Sequence, residues 1–124
     1  MVAMMRRGEI WVARLNPNIG AEIGKVRPVL ILMETRLLEA GSPVVMVAPL
    51  TTQYWPGLAA LRVAVPARER LLKDSHIVLE QTRALDRSRF GEHALGQLTA
   101  EEMRVVEQRL MMMFGIFIPA DRPC

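Results

Sequence analysis

At 124 residues the chain is one domain by length, large enough to bury most of the surface its unfolded form exposes but too short for separate catalytic and regulatory modules. Hydrophobic residues make up 51% of it and aromatics 5%, which excludes a disordered or low-complexity chain and implies a core of Val, Ile, Leu and Met. Sixteen Lys and Arg against thirteen Asp and Glu leave a net charge of +3, compatible with a polyanionic partner without requiring one. Lysine occurs only at Lys25 and Lys73, so nearly all the positive charge is guanidinium, the group best matched to phosphate. The single cysteine, Cys124, excludes an intrachain disulfide and a cysteine metal site. Met1 to Met5 is too short for a signal h-region, and the apolar runs Val29 to Met33 and Val44 to Leu50 are too short to span a bilayer. A cytoplasmic protein with no membrane attachment is expected.

Glu9 to Leu15 (EIWVARL) alternates after Gly8, with Ile10, Val12 and Arg14 on one side, and predicts a half-buried strand. Asn16 to Lys25 (NPNIGAEIGK) combines an Asn-Pro pair with two glycines and reads as a long connecting loop. Val29 to Met33 is an unbroken apolar run, a strand buried on both faces, with Pro28 near its start where no ladder donor is needed. Arg27, before the proline, is biased to extended backbone. Thr35 to Ala40 predicts a helical turn closed by Gly41 and Pro43, and Val44 to Leu50 a second apolar strand that runs into Thr51, Thr52 and Gln53. Tyr54 to Gly57 reads as a turn, Leu61 to Val65 as a short strand and Arg68 to Lys73 as a polar connection. Ser75 to Thr82 (SHIVLEQT) predicts a strand with Ile77, Leu79 and Gln81 on one face and His76, Val78, Glu80 and Thr82 on the other. Asp86 to Glu92 reads as a charged turn. Thr99 opens a helix, with Glu102 completing a capping box and an apolar stripe through Met103, Val106, Leu110, Met113 and Phe114; Gly115 ends it. The pattern is that of an α+β domain over residues 1–118, a small, strongly curved antiparallel sheet or barrel with a C-terminal helix, followed by a loose tail at 119–124.

Two histidines, His76 and His93, and the absence of HExxH, nucleophile-elbow, P-loop and GxGxxG patterns leave little basis for a metal or nucleotide cofactor, and none is expected. What such a chain can supply is hydrogen-bond donors and positive charge. RNA cleavage by its own 2'-hydroxyl needs little more: alignment of the hydroxyl with phosphorus, neutralisation of the phosphoryl oxygens, and a proton managed at each end. Arg27, emerging from a long loop at the start of a buried strand beside Lys25, is the candidate for neutralising charge. Thr51, where an apolar strand ends, can present its hydroxyl together with the amides of Thr52 and Gln53 to a phosphate. An exposed strand-edge arginine and a Ser/Thr turn closing a strand produce the same local patterns, so these readings stay open.

The segments RGEIWVARL (Arg7 to Leu15), the Asn-Pro loop with Gly20 and Glu22, RPVLIL (Arg27 to Leu32), APLTTQ (Ala48 to Gln53) and VLEQTRALD (Val78 to Asp86) occur in the order found in the MazF/PemK toxin family, which the chain resembles over nearly its whole length. The resemblance implies an SH3-like barrel that forms a homodimer and a sequence-selective endoribonuclease that cuts single-stranded RNA to a 2',3'-cyclic phosphate and a 5'-hydroxyl. It also implies a cognate MazE-like antitoxin, through which the complex binds operator DNA. Arg27 matches the family's catalytic arginine and Thr51 its catalytic threonine, so that both candidates are reached twice. A guanidinium remains a cation under ordinary conditions, which suits charge stabilisation and donation to the leaving 5'-oxygen better than proton removal.

Glu22 lies where the family often carries Ser-Glu-Gln, but its neighbours here are Ala21 and Ile23; it is a candidate either for proton transfer or for ordering the loop. Lys25, Thr52, Gln53, Ser75, Glu80 and Gln81 are the candidate RNA contacts, the last three matching a strand region that touches RNA in relatives. His76 and His93 read as structural or exposed imidazoles. Trp11 reads as core or interface, Trp55 as a side chain able to stack on a base or meet the antitoxin, and Met111 to Met113 as helix packing. Two other classes stay open. A CcdB-like gyrase poison shares the barrel, and Met113 to Ile116 (MFGI) faintly echoes its end, although core packing explains those residues as well. The other is a catalytically inactive relative acting as a binding module.

Overall fold

The computed structural model describes residues 4–116, so the tail expected at 119–124 lies outside the described residues. Seven strands and two helices follow in the order β1 (Glu9–Arg14), β2 (Val26–Ile31), α1 (Thr35–Glu39), β3 (Val44–Thr51), β4 (Arg62–Val65), β5 (Ser75–Val78), β6 (Arg83–Asp86), β7 (Phe90–Gln97) and α2 (Ala100–Met113). All pairings are antiparallel. The sheet runs β4-β5-β3-β2-β1-β7, with β6 also paired to β3, and it is open at β4 and β7.

Alternation along the strands gives the sheet two buried faces. Ile10, Leu30, Ala48 and Leu50 pack on one side with Ile77, Leu79 and the helix residues Met103 and Val106. Trp11, Ala13, Leu15, Val29, Ile31, Val45 and Val47 pack on the other with Leu38 and Leu85. This accounts for the unbroken apolar runs in β2 and β3, since neither face is left to water. It also places Trp11 in the core and leaves Arg14 exposed. β2 begins at Val26, earlier than expected, which puts Pro28 inside it opposite Val12. Pairing with β3 starts only at Val29, so this end of β2 has one neighbour and tolerates a missing N–H.

Two expectations are corrected, the first along β3. On its edge opposite β2, β6 pairs with Val44–Val47 and β5 with Leu50 and Thr51. The register slips between these stretches, and the surplus residues Leu79–Gln81 are extruded as a 3₁₀ turn. Ser75 to Thr82 is therefore not one strand, and Val78 and Leu79 are both buried instead of alternating. The expected charged turn at Asp86 to Glu92 shrinks to Arg87–Arg89, and β7 follows at once. Its run FGEHALGQ lacks apolar alternation, and it gains strand structure from pairing with β1, a case of tertiary context overriding local pattern.

Helix α2 forms as the sequence indicates. Thr99 Oγ1 accepts from the Glu102 amide at 3.1 Å and Glu102 Oε1 accepts from the Thr99 amide at 2.8 Å. At the other end the amides of Gly115 and Ile116 donate to the carbonyls of Met112 and Met111, with Gly115 at φ +70°, the left-handed closure that glycine supplies without a steric penalty. Leu110 and Met113 pack against the core. Phe114 and Ile116 are instead exposed, so within the MFGI segment core packing accounts for Met113 and not for Phe114 or Ile116.

Glu102 also receives both arms of Arg68, at 2.5 and 2.7 Å, tying the link between β4 and β5 to the start of α2. The Arg68 hydrogen bond is the main reason its carboxyl titrates below the usual glutamate value near 4.5, burial opposing and the Thr99 amide assisting. A depressed folded value contributes stability that is complete above the unfolded value and is lost as pH falls through the folded one. The Tm advantage of the wild type over Glu102→Gln should thus be widest near neutrality and shrink below about pH 4.5, as thermal unfolding across acidic buffers will show.

Candidate active site

A cavity of about 600 Å³ opens between the 16–25 loop, the end of β3, the start of β4 and the turn Leu79–Gln81. Arg27, Thr51, Glu22, Gln53, Glu80 and Gln81 all contribute to its wall, joined by Arg62, Val78 and, at the mouth, the exposed side chains of Trp55 and Leu58. Six of the nine residues named from sequence therefore meet in one place.

Arg27 reaches the cavity from β2, where it lies opposite Ala13. It is half-buried, its Nε faces the Gly24 carbonyl at a long 3.4 Å, and it joins none of the ion pairs among the described residues. A cation without a carboxylate partner is available to an external anion. Thr51, the last residue of β3, accepts the Gln53 amide on its hydroxyl oxygen at 3.1 Å. That turn consumes the Gln53 N–H, which was expected to face a phosphate, and leaves the Thr51 hydroxyl hydrogen free to donate.

The loop is built by its own polar groups. Glu22 Oε1 accepts the Ile19 amide at 2.6 Å, and the Glu22 amide donates to the Ile19 carbonyl at 3.1 Å, so Glu22 orders the loop tip and is also one of the residues lining the cavity. At the base, Asn16 Oδ1 accepts the Lys25 amide at 2.8 Å and the Leu15 amide donates to the Lys25 carbonyl at 2.7 Å. Gly24 packs so closely that a Cβ there would collide with the side-chain oxygens of Asn16 and Asn18. Gln81 clamps the loop from outside: its carbonyl oxygen accepts from Ile23 N–H at 2.6 Å and its amide donates to the Ala21 carbonyl at 3.0 Å. With both ends engaged, Gln81 holds backbone in place.

Three expected contacts lie elsewhere. Lys25 is turned by its left-handed backbone, φ 68°, toward a separate cavity with Arg14, Asn16 and Arg89. Thr52 is exposed outside the wall. Ser75 is buried, its hydroxyl donating to the Lys73 carbonyl at 3.0 Å, a structural turn. His76 lies across the β3–β5 ladder from Thr51 with its ring 4.9 Å from that of Tyr54, yet it does not line the cavity.

Arg62 was not anticipated. Alternation of Leu61 to Val65 puts it on the solvent side, whereas it is 8% exposed and bonds Glu80 Oε1 through Nη1 at 2.5 Å. No local signal marks it, because the partner lies on a turn that the sequence pattern hides. Among the described residues, no cluster of three His, Cys, Asp or Glu side chains could hold a metal ion, and no helix is long and apolar enough to cross a membrane. A free guanidinium and a hydroxyl donor facing one cavity, with an aromatic ring and an aliphatic side chain at its mouth, suit a phosphodiester and an unstacked base.

Residues 6–114 match the family model for PemK-like, MazF-like toxins of type II toxin-antitoxin systems. The chain belongs to this family. Among MazF-like proteins, the Endoribonuclease MazF of Staphylococcus saprophyticus is 35% identical over 117 residues, covering 91% of this chain and 93% of the relative. The toxin MazF-mt6 of Mycobacterium tuberculosis superposes with a TM-score of 0.73 at 27% identity, over 89% of this chain and 99% of that one. A MazE-MazF structure from Deinococcus radiodurans gives 0.72 at 22% identity, over 92% and 99%, and bears on the fold. The open, strongly curved sheet with its C-terminal helix is thus the MazF fold, and the family match decides against the gyrase-poison alternative.

If Gln81 is what pins the MazF-type loop, Gln81→Leu should raise the hydrogen-exchange rate of the Ile23 amide by roughly tenfold or more while leaving β3 protected. Exchange read by mass spectrometry or NMR checks this, and unaltered protection at Ile23 would place the constraint elsewhere.

Proposed function

We propose that the chain is a sequence-selective endoribonuclease toxin that cuts single-stranded RNA by attack of the 2'-hydroxyl, leaving a 2',3'-cyclic phosphate and a 5'-hydroxyl. The observation that carries this reading is the convergence of Arg27 from β2 and Thr51 from β3 on one cavity, where among the described residues the guanidinium pairs with no carboxylate and the Thr51 hydroxyl donates to no acceptor. Membership of the toxin family and the name of the Staphylococcus relative support it.

In the reaction the 2'-oxygen forms a bond to phosphorus as the bond from phosphorus to the 5'-oxygen breaks. Arg27 neutralises the charge growing on the phosphoryl oxygens and delivers a proton to the departing 5'-oxygen. Thr51 donates its hydroxyl hydrogen to a non-bridging oxygen. Glu22 has one oxygen committed to the Ile19 amide and takes the 2'-hydroxyl proton with the other, solvent restoring both groups afterwards. Donors aimed at developing charge inside a cleft act more strongly than the same groups in water. The reaction draws on no metal or cofactor. Trp55 stacks on a base at the mouth, and Lys25, set back from the cavity, meets a more distant phosphate.

Control of such an enzyme falls to a MazE-like antitoxin, the partner implied by a type II toxin-antitoxin family and named in the Deinococcus complex. The working form is a cytoplasmic homodimer, and operator DNA is met through the antitoxin.

Purified protein incubated with a long single-stranded RNA in EDTA should cut it, and Arg27→Ala should cut at least about 10²-fold more slowly. Thr51→Ala should lose roughly ten- to a hundredfold, the range for a hydrogen bond to a charged group. Intact RNA at high protein concentration counts against the enzyme reading, and full activity in Arg27→Ala removes that residue from the site.

A further inference from the structure

Arg62 is the buried charged residue of the described chain, 8% exposed. Taking a guanidinium out of water costs several kcal/mol unless partners replace the lost hydration, and here replacement is incomplete. Nη1 bonds Glu80, but the buried Nε has no hydrogen-bond partner among the described residues. An apolar side chain would fill this place at lower cost, so packing alone gives no reason for an arginine. Among the described residues the guanidinium has one side-chain partner, Glu80, whose side chain is 28% exposed and which lines the same cavity as Arg62, Thr51 and Arg27. The strand carrying Arg62 is itself held from behind, since Arg109 of α2 donates to the carbonyls of Ala59 and Arg62 at 2.9 and 2.7 Å.

Held in this way, Glu80 presents one oxygen to Arg62 and leaves Oε2 with no hydrogen bond among the described residues. A carboxylate accepts and does not donate, and one in the wall of the cavity that Arg27 and Thr51 also line selects a donor on a base bound there. Adenine, cytosine and guanine carry an exocyclic amino group. Uracil carries none, and its single N–H is flanked by two carbonyl oxygens that face a carboxylate unfavourably. We infer that Arg62 is a positioning residue that holds Glu80 to accept a hydrogen bond from the exocyclic amino group of one RNA base beside the cut, so that uracil is rejected there. The inference rests on the ribonuclease reading above and assigns one element of its specificity.

The test is to digest a randomised single-stranded RNA pool with wild type, Glu80→Gln, Arg62→Lys and Arg62→Met, sequencing the new ends after thermal unfolding has shown which variants fold. One position next to the wild-type cut should be depleted of uracil roughly tenfold or more. Glu80→Gln, whose amide donates as well as accepts, should admit uracil at that position and leave preferences elsewhere in place. Arg62→Met should show the same loss at the same position. If that variant does not fold, Arg62→Lys, which keeps the charge but not the planar fork, should fall between wild type and Glu80→Gln. A wild-type motif that tolerates uracil everywhere overturns the inference, as does an unchanged motif in Glu80→Gln or in the Arg62 variants that fold. Cutting with no such position overturns this inference alone, whereas failure to cut any RNA overturns it together with the ribonuclease reading.

Discussion

Strand β3 cannot satisfy its far edge with a single partner. β6 takes the first half of that edge and β5 the last two residues, and because the two registers do not match, the chain between them must bulge outward. Pro49, with no N–H to give, sits in the gap between the two paired stretches. Most of the functional geometry follows from this mismatch. The bulge is the turn that carries Glu80 and Gln81, the end of β3 carries Thr51, and β5 draws β4 and Arg62 alongside. Replacing the slipped register by a continuous strand would bury the sheet edge better and abolish the cavity.

The second determinant is the 16–25 loop, which faces that bulge. A loop of this length with two glycines and a proline would by composition be loose. It is held at its tip by Glu22, at its base by Asn16 and across the gap by Gln81, and these hydrogen bonds offset part of the entropy of ordering it. Arg27 emerges from the end of this ordered loop onto a strand anchored in both core faces, so its guanidinium is placed with only a long bond to the Gly24 carbonyl and no carboxylate partner among the described residues.

Much of this was legible in the chain. The capping box of α2, the glycine that ends it, the doubly buried runs in β2 and β3 and the loop between β1 and β2 follow from local chemistry, and the ordered segments point to Arg27 and Thr51. What escaped depends on pairing between distant residues. β7 has no apolar period and exists because β1 offers it an edge; the 75–82 stretch alternates like a strand but is broken by the register of β3. Arg62 looked like a solvent residue because alternation says nothing about a partner delivered by a bulge. Gln81 stands in the cavity wall, and only the fold shows that both ends of its amide also hold the 16–25 loop.

The clamp formed by Gln81 is neutral at every link: an amide, a backbone N–H and a backbone carbonyl. Such bonds are little affected by dissolved ions, whereas attraction between a guanidinium and phosphate weakens steeply as ionic strength rises. Shape and grip therefore answer to different variables. Salt that loosens the hold of Arg27 on an RNA backbone leaves the cavity itself standing, so between dilute and concentrated media the protein changes how tightly it holds its substrate without changing the mould into which the substrate fits.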